Sequence, residues 1–189
     1  MEKFIEYVLQ FGNLNQQQID LIKSKATELE LRKDDYYWEA GKTVKQIGFL
    51  TDGVIRVFYY NNKGEEITRY FIDENHLILS GNTLDEVFTP SEYLSAITSC
   101  KLIVFSKQDW KEISDTIIGW DTILQKIIAK YHSEKMARRS ELVSQDGTTR
   151  YLDFIKKFPT LVNRVPLSYI ASYLGVTQSS LSRIRKNIG

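Results

Sequence analysis

The apolar positions of this chain change their period along its length, and each change predicts a different kind of structure. In Lys3 to Val8 and Gln16 to Lys25 they recur at helical spacing along one stripe. Two short helices are expected there, with Asn15 placed to cap the second. From Leu29 to Phe105 the texture becomes short β-branched and aromatic runs broken by turn residues, which predicts a mostly antiparallel β domain. Asp52-Gly53 lies between two such runs and reads as a hairpin turn, since both residues accept positive φ. Asn61 to Gly64 marks a second loop. Further strands are expected at Ile67 to Ile72, His76 to Leu79, Tyr93 to Thr98 and Lys101 to Phe105, with Gly81 to Pro90 a longer polar connection.

After Phe105 the period is helical again. Ile113, Ile117, Trp120, Leu124, Ile127 and Tyr131 follow one another at spacings of three and four, the period of a coiled-coil seam. One long helix is expected, its texture running with short breaks to about Val143. The stripe is assigned to a dimer interface, because it outlasts what a small β domain covers; burial against the chain's own β domain is the alternative.

The segment from Pro166 to Gly189 carries the most specific pattern. A helix-turn-helix needs a small residue where its helices cross, a residue tolerant of positive φ in the turn, and apolar residues that lock the pair. Ala171 and Gly175 meet the first two needs, and Ile170, Leu174, Val176, Leu181 and Ile184 supply the lock. Pro166 opens the first helix and Thr177 caps the second. With Leu181 and Ile184 turned inward, Gln178, Ser179, Ser182, Arg183 and Lys186 face outward. Gln can bridge an adenine, Arg can chelate a guanine, and Ser or Lys can hold phosphate. Thr177 and these five are the candidate DNA-binding residues. A helical hairpin closing some other domain would not require Ala, Gly and Thr at these offsets.

Charge sharpens this picture. The chain is nearly neutral, at +1. Residues 1–129 nevertheless carry 14 Lys or Arg against 20 Asp or Glu, a net of −6, whereas residues 130–189 carry 11 against 4, a net of +7. A basic last third beside an acidic remainder suits a polyanion partner at one end only. With 189 residues, 42% of them hydrophobic, the chain can bury a proper core. No run approaches the ~20 apolar residues that span a bilayer, and the first residues lack the order of a secretory signal, so a cytoplasmic protein without a membrane partner is expected. The single cysteine, Cys100, excludes an internal disulfide framework and reads as a buried spectator.

Helices, a β roll, a long seam helix and a terminal helix-turn-helix, in that order, resemble the Crp/Fnr family of bacterial transcription regulators. The resemblance covers nearly the whole chain. Its most specific parts are Arg150-Tyr151-Leu152-Asp153-Phe154, the run Pro166 to Val176, and Leu181-Ser182-Arg183-Ile184-Arg185-Lys186, which look like a branch common in Bacteroidetes. It implies an α+β fold: an N-terminal double-stranded β-helix of the cyclic-nucleotide-binding type with flanking helices over residues 1–112, a dimerisation helix and hinge over 113–144, and a helix-turn-helix domain over 145–189. It also implies a homodimer on a palindromic operator in double-stranded DNA, with RNA polymerase as a further partner. By this resemblance Gln178, Ser179 and Arg183 fall where the family reads bases, Ser179 replacing the Glu of many members.

The sensor half departs from the family. Members that bind cyclic AMP carry a Gly-Glu pair and an Arg-Ser or Arg-Thr pair, because the cyclic phosphate needs a guanidinium and amides while the Glu holds the ribose. Matching Thr98-Ser99-Cys100 to the family's strand puts Leu79-Ser80 and Pro90-Ser91 at those positions, with Glu92 nearby to repel phosphate. No cyclic nucleotide, cofactor or metal is therefore expected, since His76 and Cys100 supply neither a cysteine cluster nor a haem ligand pair. A small-molecule effector of unidentified class remains open, with Tyr59, Tyr70, Phe71 or Tyr93 as pocket lining. The β-hairpin wing of many members is not seen after Ile188, so either the branch lacks it or the chain is truncated. Phosphate contacts then fall to helix ends and to Arg138, Arg139, Arg150, Lys156 and Lys157.

Two other classes of function fit less well. Catalysis has no Ser-His-Asp, Cys-His or metal-spaced set and no phosphate loop to stand on, so the chain is not read as an enzyme. A module binding cyclic nucleotides or other small ligands, with no direct role in transcription, should keep the phosphate arginine and need no terminal DNA motif. The sequence shows the reverse.

Overall fold

A computed structural model of the chain describes residues 1–79, 89–141 and 145–188, with backbone alone for 134–141. Helices α1 (Glu2–Leu9) and α2 (Gln16–Lys25) come first. Strands β1 (Thr27–Leu31), β2 (Tyr36–Trp38), β3 (Gln46–Asp52), β4 (Ile55–Tyr60), β5 (Glu66–Ile72), β6 (His76–Ile78), β7 (Tyr93–Ala96) and β8 (Cys100–Ser106) follow. Helices α3 (Lys107–Thr116), α4 (Trp120–Glu141), α5 (Gly147–Lys157), α6 (Leu167–Leu174) and α7 (Gln178–Ile188) complete an α+β chain. Asn15 caps α2 as expected: its side chain accepts from the Gln18 N–H at 2.9 Å, and the Gln18 side chain accepts from the Asn15 N–H at 2.8 Å.

The strands form two antiparallel four-stranded sheets, ordered β1-β8-β3-β6 and β2-β7-β4-β5. Both sheets carry apolar residues on both faces, and this dictates four layers. Leu50, Leu102 and Val104 of the first sheet meet Ile55, Val57, Ile72 and Leu94 of the second. Their neighbours Ile47, Phe49, Ile103 and Phe105 turn the other way, onto Phe4 and Val8 of α1, Trp110 of α3 and Trp120 of α4. On the far side of the second sheet, Val54, Phe71 and Ile97 are covered by Tyr151, Phe154, Leu161, Ala171 and Leu174. Each large side chain buried in this way contributes roughly 1.5–3 kcal/mol. Cys100 is buried between the sheets as expected, and burial pushes its thiol up from the ordinary value.

Two sequence readings are corrected. Asp52-Gly53 does not close a hairpin: β3 pairs with β6 and β8, β4 with β5 and β7, so the turn carries the chain from one sheet to the other. Gly53, at φ 103°, presses against the opposite chain, where a Cβ would stand 2.5 Å from the Ser99 carbonyl oxygen. Its N–H donates to Glu74 and the Val54 N–H donates to Thr98, so no cross-turn ladder forms. The hairpin is the Asn61–Gly64 loop between β4 and β5, where the Asn61 side chain accepts from the Lys63 and Glu65 N–H groups at 2.9 and 3.0 Å.

The continuous seam helix is likewise absent. Helix α3 ends at Thr116, and Gly119, at φ 86°, turns the chain before α4 begins. The Trp110 and Trp120 rings then meet at 5.5 Å. Ile113, Ile117, Trp120 and Ile127 are buried in the protomer's own core against α1 and the first sheet, which is where the stripe is spent. Leu124 is half-buried at the edge of this core, and the Tyr131 hydroxyl meets that of Tyr70 at 3.0 Å. Val143 lies outside the described residues. Among the described residues no helix is long and apolar enough to cross a membrane.

Candidate nucleic-acid interface

Asp146 starts α5, its side chain accepting from the Thr148 and Thr149 N–H groups at 2.8 and 3.1 Å. These bonds, with the Thr149 hydroxyl, hold its carboxyl below the ordinary value. Gly147 packs under α7: a Cβ there would stand 3.2 Å from Val176 and 3.3 Å from Ile184. Helix α6 follows Pro166 and ends at Gly175, whose backbone is left-handed at φ 65°. The Gly175 N–H donates to the Ser172 carbonyl at 3.2 Å and the Val176 N–H to that of Ala171 at 3.0 Å. This double closure satisfies carbonyls that the helix end would leave open. Thr177 then caps α7, its hydroxyl accepting from the Ser180 N–H at 3.1 Å.

The lock forms as the sequence implies, with Ile170, Ala171, Leu174 and Leu181 buried and Val176 and Ile184 packed against them. Gln178, Ser179, Arg183 and Lys186 are exposed and Ser182 is half-buried. At ~100° per residue these five span about 140° of the helix circumference, on the side away from the inward pair Leu181 and Ile184. Thr177 is exposed, but its hydroxyl is engaged with Ser179, Ser180 and the cap, so it shapes the helix start.

Arg150 is not available for phosphate contact. Its guanidinium donates to the Leu174 carbonyl, tying α5 to the turn between α6 and α7. Lys156 and Lys157 are exposed on α5, while the side chains of Arg138 and Arg139 lie outside the described residues.

At the sensor positions, Pro90 is buried and its carbonyl accepts from the Gly41 N–H at 2.9 Å. Glu92 pairs with Arg69 at 2.7 Å. Leu79 packs on the helical side of the first sheet, and Ser80 lies outside the described residues. The four aromatic residues considered as pocket lining do not converge. Tyr70 and Phe71, adjacent on β5, turn to opposite faces of their sheet, Tyr70 inward and Phe71 beneath α5 and α6. Tyr93 stacks on Phe58 at 5.2 Å, and the Arg69 guanidinium lies 5.1 Å from the Tyr59 ring.

Sequence reasoning missed the contacts that seat the helix-turn-helix on the roll. Arg164, between α5 and α6, reaches both oxygens of Glu74 at 3.2 and 2.5 Å. Burial alone would raise the Glu74 carboxyl. The Arg164 hydrogen bonds, with the N–H groups of Glu74 and Gly53, outweigh it and hold the carboxyl below the ordinary value. Buried Arg56 in the run Val54 to Tyr59, a cation among apolar residues, was the available signal.

The two-sheet roll with flanking helices and a terminal helix-turn-helix is the fold of the Crp/Fnr transcription regulators. Among solved structures, FixK2 from Bradyrhizobium japonicum is similar at 15% identity and a TM-score of 0.75, over 86% of this chain and 84% of that one. The c-di-GMP-responsive global regulator CLP from Xanthomonas campestris is similar at 14% identity and a TM-score of 0.72, over 92% and 91%. A protein from Eubacterium rectale assigned as a transcriptional regulator of the Crp/Fnr family is similar at 15% identity and a TM-score of 0.71, over 92% and 83%. No family model and no curated relative matches the sequence.

Proposed function

We propose that this chain is a DNA-binding transcription regulator of the Crp/Fnr type, cytoplasmic, acting as a homodimer on a palindromic operator. The observation that carries this reading is the exposed polar face of α7, held in register by the Gly175 closure and the Thr177 cap. Gln178, Ser179 and Arg183 read base edges, while Ser182 and Lys186 hold phosphate. The Crp/Fnr fold supports the reading as well, and RNA polymerase is the further partner it calls for. Selection of bound fragments from genomic DNA, followed by gel shift of the wild type and Arg183→Ala, tests it. A wild type that shifts no duplex at low salt would overturn it.

Dimerisation must use surface that the protomer does not consume. Ile128 of α4 is half-buried and lies four residues after Leu124 and three before Tyr131, which the protomer engages only in part, so the exposed parts of these three form the narrower seam. Ile128→Asp should convert the dimer to monomer in analytical ultracentrifugation at micromolar concentration. A wild type that sediments as a monomer there removes the dimer from the reading.

The sensor does not bind cyclic AMP or cyclic GMP on this reading. Pro90 has no N–H to donate, and the carboxylate of Glu92 stands nearby with Arg69 already on it. Titration calorimetry should detect no heat of binding from either nucleotide, and saturable micromolar binding would show that the roll keeps a phosphate site elsewhere.

A further inference from the structure

Arg56 is the one cation that the described residues bury, at 2% exposure, and it lies on the outer face of the second sheet. Its Nε donates to the Thr68 hydroxyl at 2.8 Å, and its guanidinium donates to the Glu66 carboxylate. The guanidinium carbon lies 4.4 Å from the centre of the Phe58 ring and 3.9 Å from that of Tyr169. Phe58, Glu66 and Thr68 belong to the roll, whereas Tyr169 belongs to α6. The attraction of a cation for an aromatic face grows when water is excluded, so Tyr169 both closes the site and is held by it. Next to it β5 is an edge strand, and α6 completes that edge. The Thr68 N–H donates to the Ser172 hydroxyl at 2.9 Å, and that hydroxyl donates to the Glu66 carbonyl at 3.3 Å.

Helix α6 is thus clamped on the roll while α7 keeps its polar face exposed. A clamp of this kind leaves the contacts of one α7 with one half-site intact. What it fixes is the direction in which α7 is presented, and in a twofold dimer that direction sets the distance between two half-sites. We propose that Arg56 is a positioning residue for DNA reading: by holding Tyr169 it fixes the half-site spacing that the dimer accepts. The inference rests on the DNA-reading dimer argued above, and its test has one arm without DNA.

In that arm, spin labels on Glu28→Cys and Lys156→Cys report the distance from roll to helix-turn-helix in the full chain. The distribution should be narrow with Arg56 present and broad in Arg56→Ala and in Tyr169→Leu, which keeps an apolar side chain and removes the aromatic face. Arg56→Lys, which keeps the charge without the planar stack, should fall between. In the other arm, duplexes carrying one half-site, or two half-sites at varied spacing, are titrated with the same variants. Arg56→Ala should bind the single half-site like wild type, lose about 10-fold or more on the optimal palindrome, and discriminate less among spacings. An equally narrow distribution in Arg56→Ala overturns the clamp. A broad distribution with unchanged spacing preference overturns its role in reading. A wild type that binds no duplex overturns the DNA reading, and with it the positioning role, while the label distances still decide the clamp.

Discussion

At the scale of single residues, the reading face of α7 separates two kinds of side chain that can be told apart in solution. Arg183, if bidentate to a guanine, discriminates by roughly 1–3 kcal/mol per half-site, so Arg183→Ala should weaken the operator far more than random duplex. Lys186→Ala should weaken both kinds of DNA alike and make the salt dependence shallower by about 0.9 for each phosphate that it no longer neutralises. Binding to operator and random duplex across salt concentrations checks both, and an unchanged specificity ratio in folded Arg183→Ala removes Arg183 from the reading set. These outward positions were legible because Leu181 and Ile184 fix the phase of the helix. Arg150 was not, since its partner is a backbone carbonyl on another helix, and no local pattern marks a cation bound to a carbonyl rather than to solvent.

At the scale of elements, two glycines carry different burdens and predict different costs. Gly175 needs its left-handed conformation to end α6, and a Cβ there would lie 3.2 Å from the Arg150 guanidinium, which is held by the Leu174 carbonyl. Gly175→Ala should cost roughly 1–2 kcal/mol of conformational strain, with a small further loss as the guanidinium gives by a few tenths of an ångström. Gly53 has both a positive φ and a Ser99 carbonyl oxygen 2.5 Å from where a Cβ would sit. Backbone cannot swing aside as a side chain can, so Gly53→Ala should destabilise clearly more than Gly175→Ala, measured by urea denaturation. Equal losses would show that the crossing between sheets relaxes freely. The contrast also explains which elements the sequence disclosed. The first two helices, the caps of α2 and α7, and strands β4 to β8 are set by neighbours a few residues away, and they fell close to their expected places. The Asp-Gly hairpin and the seam helix failed because each local signal was answered at long range. Gly53 serves a sheet-to-sheet crossing against Cys100, and the stripe from Ile113 to Ile127 is consumed by a first helix some hundred residues earlier.

At the scale of the whole molecule, the roll and the carboxyl-terminal helices are joined by an apolar seat and, among the described residues, by polar fastenings: Arg56 with Tyr169, Glu74 with Arg164, and Ser172 with Thr68 and Glu66. The runs Val54 to Tyr59 and Tyr70 to Ile72 hint at the seat, since they are apolar at both strand parities and so call for cover on both faces. The second fastening carries a titratable group. Glu74 has a folded-state value below that of the free carboxyl, so its contribution is fully present above the ordinary carboxylate range. It is lost as pH falls through the lowered value. Asp52 and Asp73 also attract the Arg164 guanidinium. With side chains 25% and 31% exposed, the pair should contribute about 1–2 kcal/mol after screening by water. Glu74→Gln should thus be less stable than wild type near pH 7, and the gap should close as the wild-type carboxyl takes up its proton. Urea denaturation of both proteins at a series of pH values measures the gap. A difference that stays constant from about pH 7 to about pH 3 would show that the Glu74 charge does not fasten the helix-turn-helix to the roll, leaving the apolar seat and Arg56 to hold it.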